Sequence, residues 1–453
     1  MTPNILLITA DDLDASVAGC FGGTANATPR LDRLAAEGMR FLRAHVPVAV
    51  CQPSRSALMT GRRPHRNGAQ GFEPILDDVP VLPDLLRPVG YRFGILGKVS
   101  HLTPQERFHW DTIRTADQLG TGRDPQAYAR ATAEFIADAA QSSRPWFLLA
   151  NAHDPHRPFH DSENEHAWWP EETRTDVPPP SKVFDPEEAD PPGFLPDLAL
   201  VRKEFAEYLS SARRCDDVVG AVLDVLEANR QADNTLVIFL SDHGMPFPFA
   251  KANCYVQSTR TPLVIRWPGH IAAGLTEGSH FVSSLDLFPT LCTAAGVDAG
   301  PDLDGRCLTS LFTGGRQAGR EHMVTVFHET AAKERFEMRA IQTAEHLYVW
   351  NAWSDGERAY RAENMFGHTW PAMLEEGTEN SEMARRNEFY RTRCPEEFYD
   401  LTSDPHALDN TVGTGRHRKE RDELRSLLLA DLQFHGDPLA DAFARFEAER
   451  RTT

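Results

Sequence analysis

The sequence predicts an α/β fold in which a large mixed, mostly parallel sheet is sandwiched by helices and followed by a smaller C-terminal α+β subdomain. Short apolar runs alternate with longer segments of helical periodicity, which is typical of parallel strands joined by helical crossovers. After residue 313 the pattern changes to aromatic and charged segments such as Glu345–Trp353 and Glu396–Pro405. We therefore expect a main domain over residues 1–313 and a subdomain with a short antiparallel sheet over residues 314–453.

Five apolar runs are predicted as strands of the large sheet. They are Asn4–Asp12, Tyr91–Lys98, Pro145–His153, Thr235–Gly244 and Thr261–Gly269. Helical spacing of apolar residues predicts helices over Thr28–Met39, Asp124–Gln141 and Glu204–Arg230. The proline-rich stretch Val177–Phe194 is predicted as irregular surface structure or part of a lid, because proline lacks the N–H that helices and central strands use.

Composition is that of an ordinary globular protein. Of its 453 residues 41% are hydrophobic and 25% are charged, and the net charge is −19. This acidic balance disfavours nucleic acid and anionic membranes as partners, although a local positive pocket is compatible with it. No run of about eighteen consecutive apolar residues occurs, and no apolar leader follows a basic segment, so we expect a cytoplasmic protein. The oligomeric state stays open, with a homo-oligomer as one alternative.

One of the seven cysteines stands in a distinctive setting. The cysteines are odd in number and lack C-x-x-C spacing, which indicates neither a disulfide framework nor a structural zinc site. Pro53 suits the first turn of a helix and Gly61 its end, so Cys51 falls at or just before a helix N-terminus. Such a terminus favours anions, and Arg55 adds a positive charge one turn later. The alternative is that Cys51 is a small buried apolar residue.

Polar side chains follow four of the predicted strands at their carboxyl ends, where open α/β sheets bind ligands. These side chains are Asp11 and Asp12, then Lys98 and His101, then His153, Asp154 and His156, and finally Asp242 and His243. Each group alone has a plain alternative, since Asp after a strand is often a turn residue and His beside Pro a surface loop residue. Four such groups, together with the Cys51 helix, predict one common site.

The chemistry of that site follows from its residue types. Asp11, Asp12 and Asp242 would repel one another unless a divalent cation lay between them, and oxygen ligands suit Ca²⁺, Mg²⁺ or Mn²⁺. His243 would add a nitrogen ligand. A cation, a helix start and several basic side chains together suit a tetrahedral oxyanion, which predicts hydrolysis of a sulfate or phosphate derivative.

The motif CQPSR followed by SALMTGRRP, with ITADD upstream and LSDHG and TRTPLVIRWPG downstream, resembles the formylglycine-dependent sulfatases of the alkaline-phosphatase-like superfamily. The likeness covers most of the chain and extends to the C-terminal FYDLTSDPHALDN. It implies that a formylglycine-generating enzyme oxidises Cys51 to formylglycine before folding. The hydrated aldehyde would then be the nucleophile.

The same resemblance implies roles for the remaining site residues. The implied ligands of the metal are Asp11, Asp12, Asp242, His243 and the modified Cys51. Arg55 would orient the diol, Lys98 and Lys251 would contact sulfate oxygens, and His101 and His156 would assist the leaving group or the diol. The predicted substrate contacts are His153, Asp154 and Arg260, with a turn before Pro155 as the alternative for Asp154. Calcium is the expected metal, with manganese or magnesium as alternatives because many members have Asn where His243 stands. The Lys98 to His101 spacing is one residue longer than usual.

Two segments resemble those of the sulfamidases, the heparan N-sulfatases that cleave an N–S bond on glucosamine. They are Asn151–Phe159 and Ser241–Tyr255, whereas the turn GKVSH resembles the iduronate 2-sulfatases. We therefore predict N-sulfoglucosamine as the substrate, with His156 protonating the leaving amine and Asp154 favouring the charged form of His156. The alternatives are an O-sulfatase, a phosphonate or phosphodiester hydrolase and a non-catalytic binding protein.

Overall fold

Ten strands precede residue 300 in the computed structural model, which describes residues 2–168 and 177–451. In chain order they are β1 (Asn4–Ala10), β2 (Met39–Phe41), β3 (Ala44–His45), β4 (Arg92–Leu96), β5 (Thr112–Arg114), β6 (Trp146–Asn151), β7 (Thr235–Ser241), β8 (Leu263–Arg266), β9 (Leu275–Glu277) and β10 (Val282–Ser283). Eight of them form one sheet in the order β5-β4-β6-β1-β7-β8-β2-β9, and β3 pairs with β10. Only β8 runs antiparallel to its neighbours β7 and β2, which confirms the mixed, mostly parallel sheet.

The helices before residue 300 include the three that the sequence predicts. In chain order they are α1 (Pro29–Glu37), α2 (Cys51–Thr60), α3 (Pro64–Asn67), α4 (Leu82–Leu86), α5 (Pro125–Ser142), α6 (Glu163–Trp168), α7 (Ala199–Ala228), α8 (Val256–Thr259) and α9 (Leu287–Ala294). Asp124 caps α5 by accepting a hydrogen bond of 2.8 Å from the N–H of Gln126. Helix α7 begins at Ala199, earlier than predicted, because its apolar face continues through Val201.

Alternation along β1 explains how helices cover both faces of the sheet. Leu6 and Ile8 belong to one apolar core, which α5 and α7 complete. Ile5 and Leu7 belong to the opposite core, which α4 and α9 complete. Successive side chains of a strand point to opposite faces, so a continuous apolar run is buried on both sides, as parallel sheets require. Packing on both faces therefore fixes β1 and the residues that follow its carboxyl end.

A second sheet follows in the C-terminal part. Its strands are β11 (His322–Glu329), β12 (Arg335–Thr343), β13 (His346–Asn351) and β14 (Glu396–Asp400), joined in that order as antiparallel neighbours. The helices of this part are α10 (Thr369–Glu376), α11 (Ser381–Thr392), α12 (Arg418–Phe434) and α13 (Ala440–Arg451). Leu428 of α12 and Phe443 of α13 pack on one face of the sheet, whereas Met338 on the other face joins the core of α5 and α7. The separate antiparallel sheet is confirmed, and the boundary at residues 313 and 314 stays a prediction.

The proline-rich stretch Val177–Phe194 contains neither helix nor strand. Phe184 and Phe194 nevertheless bury their rings in the core that α7 completes. Within residues 2–168 and 177–451, no helix is both long and apolar enough to cross a membrane.

Candidate active site

Four adjacent strands of the large sheet, β4, β6, β1 and β7, direct their carboxyl ends to one edge. Asp11 and Asp12 follow β1, Lys98 follows β4, and Asp242 follows β7. The parallel register places these residues side by side, because adjacent strands end at the same level. The N–H of Asp12, for example, donates to Asp242 Oδ1 at 3.1 Å.

Cys51 is the first residue of α2, as the Pro53 and Gly61 pattern predicts. Every residue of this helix is buried, and the Cys51 side chain faces the carboxyl ends of the strands. Its Sγ lies 3.3 Å from His243 Nε2, 3.4 Å from Lys251 Nζ and 3.5 Å from Asp11 Oδ1. Burial and the Asp11 carboxylate hold the pKa of the Cys51 thiol well above its usual range. The unmodified thiol is therefore protonated and is a weak nucleophile at neutral pH.

Arg55 lies one turn into α2 and contacts the ends of three strands. Its Nη2 donates to Asp242 Oδ2 at 2.8 Å, and its Nη1 donates to Thr9 Oγ1 at 2.8 Å and to Asn151 Oδ1 at 2.7 Å. The guanidinium is almost fully buried, so its attraction for the carboxylates is screened little by water. Arg55 thus ties the helix that carries Cys51 to β1, β6 and β7.

Two lysines approach the carboxylates from opposite sides. Lys98 Nζ pairs with Asp11 Oδ2, and Lys251 Nζ donates to Asp12 Oδ1 at 2.7 Å. Both lysines are buried. Burial lowers the pKa of Lys251, but the Asp12 and Asp11 carboxylates outweigh it and raise this pKa well above its ordinary value. Lys251 therefore keeps its positive charge in the interior and can bind an anion.

Asp11, Asp12, Cys51 and His243 form a group whose potential ligand atoms all lie within 4.8 Å of one another. Asp12 Oδ2 is buried and has no hydrogen-bond partner among the described residues. Burial raises the pKa of Asp12, and the Asp11 and Asp242 carboxylates raise it further against the opposing charges of Lys251 and His243. An unpaired buried oxygen beside other acidic groups is the setting that a divalent cation relieves, so these residues fit the metal predicted from sequence.

Asp242 stands beside this group rather than within it. One of its carboxylate oxygens receives Arg55, and the other lies 3.8 Å from His243 Nε2. His243 Nδ1 donates to the Gly244 carbonyl at 3.0 Å, which leaves Nε2 toward Cys51. The ligand role of Asp242 stays a prediction.

A cavity of about 610 Å³ contains the exposed side of this cluster. Its wall includes Cys51, Asp12, Lys251 and both predicted histidines, His101 and His156. His101 thus reaches the site despite the unusual spacing of GKVSH. Lys98 has a left-handed backbone conformation with φ of 49°, and a short 3₁₀ helix that includes His101 follows it.

The two histidines have different environments. Burial and the Lys98 charge together lower the pKa of His101 to about 3. Burial also holds the pKa of His156 well below its usual range, against the favourable charge of Asp11. His156 Nδ1 donates to the Arg157 carbonyl at 2.5 Å, so Nε2 is the ring nitrogen left for the cavity.

The predicted role of Asp154 needs correction. Asp154 Oδ1 accepts from Arg123 Nε at 3.0 Å, and Oδ2 accepts from Arg214 Nε at 2.6 Å. Only 1% of the residue is exposed, and it does not line the cavity. Substrate binding by Asp154 therefore has no support in this geometry. The carboxylate that favours the charged form of His156 is Asp11.

His153 and Arg260 also lie outside the cavity. His153 Nε2 accepts from the N–H of Lys98 at 3.1 Å, so His153 holds the Lys98 backbone rather than substrate. Arg260 follows α8 and forms a backbone bridge with His45. Burial and the Arg260 charge lower the pKa of His45 to about 3. The predicted substrate contacts of His153 and Arg260 are not supported.

Two parts of the site were missed by sequence reasoning. Asn151 ends β6, accepts from Arg55 and donates through Nδ2 to the Leu96 and Gly97 carbonyls at 3.2 and 3.0 Å. A polar residue closing an apolar strand was the available signal. The other missed part is the segment around Glu363, which lines the cavity. No local pattern marks it, because it reaches the site only through tertiary packing.

Comparison with known proteins gives two family matches. The chain matches the sulfatase family over residues 3–297. It also matches the family described as N-sulphoglucosamine sulphohydrolase, C-terminal, over residues 242–354.

Similar curated proteins include human N-sulphoglucosamine sulphohydrolase, 34% identical over 304 residues, which are 64% of this chain and 60% of that protein. Human arylsulfatase A is 32% identical over 368 residues, covering 71% of this chain and 70% of that protein.

Similar folds occur in BT4656, solved in complex with its substrate D-glucosamine-2-N,6-O-disulfate. The TM-score is 0.71 at 19% identity, over 97% of this chain and 99% of that chain. The phosphonate monoester hydrolase of Agrobacterium radiobacter gives a TM-score of 0.68 at 21% identity, over 96% of both chains.

Proposed function

Since the chain belongs to the sulfatase family, we propose that it hydrolyses a sulfated amino sugar through a formylglycine nucleophile formed from Cys51. The proposed substrate is N-sulfoglucosamine, and the products are glucosamine and sulfate. Support for the substrate comes from the C-terminal match to the N-sulphoglucosamine sulphohydrolase family and from the sulfamidase-like segments Asn151–Phe159 and Ser241–Tyr255.

The observation that carries the proposal is the setting of Cys51. Its Sγ lies within 3.5 Å of a carboxylate oxygen, an imidazole nitrogen and an ammonium group, and the residue lines the cavity. A packing cysteine would be surrounded by apolar side chains. A diol built at this position would meet Lys251 and His243 directly, which suits a nucleophile that attacks an anionic sulfur centre.

In the proposed reaction one hydroxyl of the hydrated aldehyde releases its proton to water and attacks sulfur, and the S–N bond breaks as the new S–O bond forms. The leaving nitrogen takes a proton from His156 Nε2, whose orientation is held by the Nδ1 bond to the Arg157 carbonyl. Burial disfavours the charged form of the His156 imidazole in the free protein. The negative charge of a bound substrate favours that form, so His156 gains its proton when the substrate binds. His156, which is then neutral, takes the proton of the second hydroxyl; sulfate is expelled and the aldehyde is restored, which water hydrates again. Arg55 and Lys98 hold the carboxylates of the site throughout.

Asp11, Asp12, His243 and the modified Cys51 would hold a divalent cation, with Asp242 as a further proposed ligand. We propose calcium, with manganese or magnesium as the other outcomes of metal analysis. When bound, the cation would neutralise the carboxylates and polarise a sulfate oxygen. The chain's own cations, Lys251 foremost, would contact the remaining sulfate oxygens.

Mass spectrometry of the tryptic peptide that contains Cys51 tests the nucleophile. Formylglycine lowers the mass of this residue by about 18 Da relative to cysteine. The matured protein should then release sulfate from N-sulfoglucosamine faster than from glucosamine 6-sulfate. Sulfate release from the O-sulfated sugar, with no cleavage of N-sulfoglucosamine, would identify an O-sulfatase instead.

A second candidate function is favoured by one residue. His243 stands where many sulfatases have Asn, and the phosphonate and phosphodiester hydrolases of the superfamily often have Asp-His at this position. Its Nε2 faces Cys51 Sγ at 3.3 Å, so it would lie beside the reacting group. Parallel assays with an aryl sulfate, a sulfamate and a phosphodiester, at equal concentrations of one matured sample, decide between the two.

A further inference from the structure

One wall of the active-site cavity comes from a segment outside both family matches, which end at residues 297 and 354. We call Glu363–Thr369 the C-terminal wall. Its Glu363, Phe366 and Gly367 line the same cavity as Cys51 and His156. This wall is therefore placed to contact the part of a substrate that does not react.

The C-terminal wall is fixed to the catalytic machinery at its start. Asn364 is fully buried, and its Nδ2 donates both to the Lys251 carbonyl and, at 2.7 Å, to the Tyr390 hydroxyl. The residue beside Glu363 thus bonds directly to the backbone of a lysine that touches Cys51 Sγ. Because of this link, the position of Glu363 relative to Cys51 is fixed.

The end of the wall is fixed as well. Thr369 donates to Glu204 Oε2 through its N–H at 2.7 Å and its hydroxyl at 2.6 Å, and Glu204 also pairs with Arg157. Gly367 has a φ of 96°, and a Cβ there would overlap Glu204 and Arg157. The close approach of the wall to the Arg157 and Glu204 pair thus requires glycine at this position.

Glu363 presents a carboxylate that the protein leaves largely unused. Its Oε2 accepts only a long bond of 3.4 Å from the N–H of Ala331, and its buried Oε1 has no partner among the described residues. Exposed aromatic side chains lie on the same cavity, with Phe366 63% and Trp168 62% exposed. An acceptor without donors beside apolar rings suits a sugar, which offers hydroxyl donors and C–H faces.

We propose that Glu363 selects the sugar that this site accepts: its carboxylate receives a hydrogen bond from an unsulfated hydroxyl and disfavours a second sulfate at that position. This inference deepens the proposed function and rests on it. A sulfate facing Glu363 would bring two anions together in a partly buried cavity and would leave the carboxylate without a donor. Glu363 therefore favours glucosamine that carries a single sulfate.

The test compares kcat/KM for N-sulfoglucosamine with kcat/KM for D-glucosamine-2-N,6-O-disulfate. The wild-type protein should prefer the monosulfated sugar, and Glu363→Gln should reduce that preference by about tenfold or more, because the charged acceptor is lost while the shape is kept. Glu363→Asp keeps the charge and should retain part of the preference. Glu379→Gln is the matched control, since Glu379 is exposed and lies outside the cavity that contains Cys51.

An equal preference in the wild-type protein and Glu363→Gln would overturn the inference, as would an equal change in Glu379→Gln. A protein that cleaves an aryl sulfate but neither sugar would instead refute the proposed substrate. In that case glucosamine and glucosamine 6-sulfate are tested as competitive inhibitors of aryl sulfate hydrolysis. The ratio of their inhibition constants then measures how strongly the site disfavours a sulfate near Glu363. Glu363→Gln should then narrow the ratio of the two inhibition constants, and an unchanged ratio would refute the role of Glu363.

Discussion

Asp12 and Asp154 follow neighbouring strands of the same sheet, and both are buried, yet the protein treats their charges in opposite ways. Asp154 is neutralised by two arginines, with Arg214 bound through two nitrogens at 2.6 and 3.2 Å and Arg123 through one at 3.0 Å. Asp12 receives Lys251 on one oxygen, while its other oxygen has no hydrogen-bond partner among the described residues. Both oxygens of Asp154 are thus hydrogen-bonded within the described part of the protein, whereas only one oxygen of Asp12 is.

This difference separates a structural carboxylate from a functional one. A buried charge that is fully paired fixes the elements that carry its partners, here α7 and the turn before α5. A buried charge left partly unpaired lowers stability unless a ligand supplies the missing interaction. The partly unpaired carboxylate of Asp12 lies beside Cys51, where the proposed chemistry needs a cation.

The largest expected effect comes from Cys51→Ala. The substitution removes the only proposed nucleophile, so turnover of an aryl sulfate should fall by roughly 10⁶-fold. The side chain is small, and we expect the thermal midpoint to change little. Steady-state kinetics and thermal unfolding of the same preparation measure both. Substantial turnover by a sample free of wild-type protein would end the proposed mechanism.

Asp154→Asn and Asp12→Asn should give opposite results. Asp154→Asn leaves Arg123 and Arg214 without their anion, so the free energy of unfolding should fall by about 3–5 kcal/mol. The folded fraction should keep most of its kcat. Asp12→Asn removes repulsion from Asp11 and Asp242, so in the presence of chelator we expect its stability to equal or exceed that of the wild-type protein, with activity lost.

Denaturant unfolding and kcat per folded molecule distinguish the two variants. If Asp154→Asn abolished turnover without loss of stability, the carboxylate would have a direct part in the reaction. The comparison between Asp12 and Asp154 would then be invalid.

His156→Ala sharpens the comparison, because His156 lies two residues after Asp154 but lines the cavity. Cleavage of N-sulfoglucosamine expels an amine that needs a proton, whereas an aryl sulfate expels a stabilised phenolate. General acid catalysis contributes about 10²–10⁴-fold, so His156→Ala should reduce the sulfamate reaction about 100-fold more than the aryl sulfate reaction. His109→Ala, an exposed histidine outside the cavity, is the matched control. Equal losses on both substrates would remove the general-acid role.

Local patterns predicted the fold and the centre of the site. Short apolar runs predicted β1, β6 and β7. The polar residues that follow these strands were expected to lie together, because the carboxyl ends of parallel strands meet at one edge of the sheet. The start of α2 at Cys51 followed from Pro53 and Gly61. These predictions depend only on residues that are close in sequence.

Long-range pairing could not be predicted in the same way. The fate of Asp154 depends on Arg214, which is 60 residues away on α7, and on Arg123. Glu363 reaches the cavity because Asn364 bonds to Lys251, more than a hundred residues earlier. Neither contact leaves a periodic or motif signal, so sequence reasoning assigned Asp154 to substrate and overlooked Glu363.

Metal removal should change stability less than Asp154→Asn does, and it tests Asp12 most directly. A cation bound to Asp11, Asp12 and His243 stabilises only the folded protein, by about 2.7 kcal/mol when it is present at 100 times its Kd. Chelation should therefore lower the thermal midpoint and abolish turnover together, and calcium should restore both. In Asp12→Asn the midpoint should no longer respond to chelator, whereas in Asp154→Asn it should respond as in the wild-type protein. His243→Asn should increase the preference for calcium over manganese, because an amide oxygen is a harder ligand than an imidazole nitrogen. Elemental analysis of each variant supplies the check: full activity in protein without a divalent metal would refute the site, and an unchanged metal preference in His243→Asn would exclude His243 as a ligand.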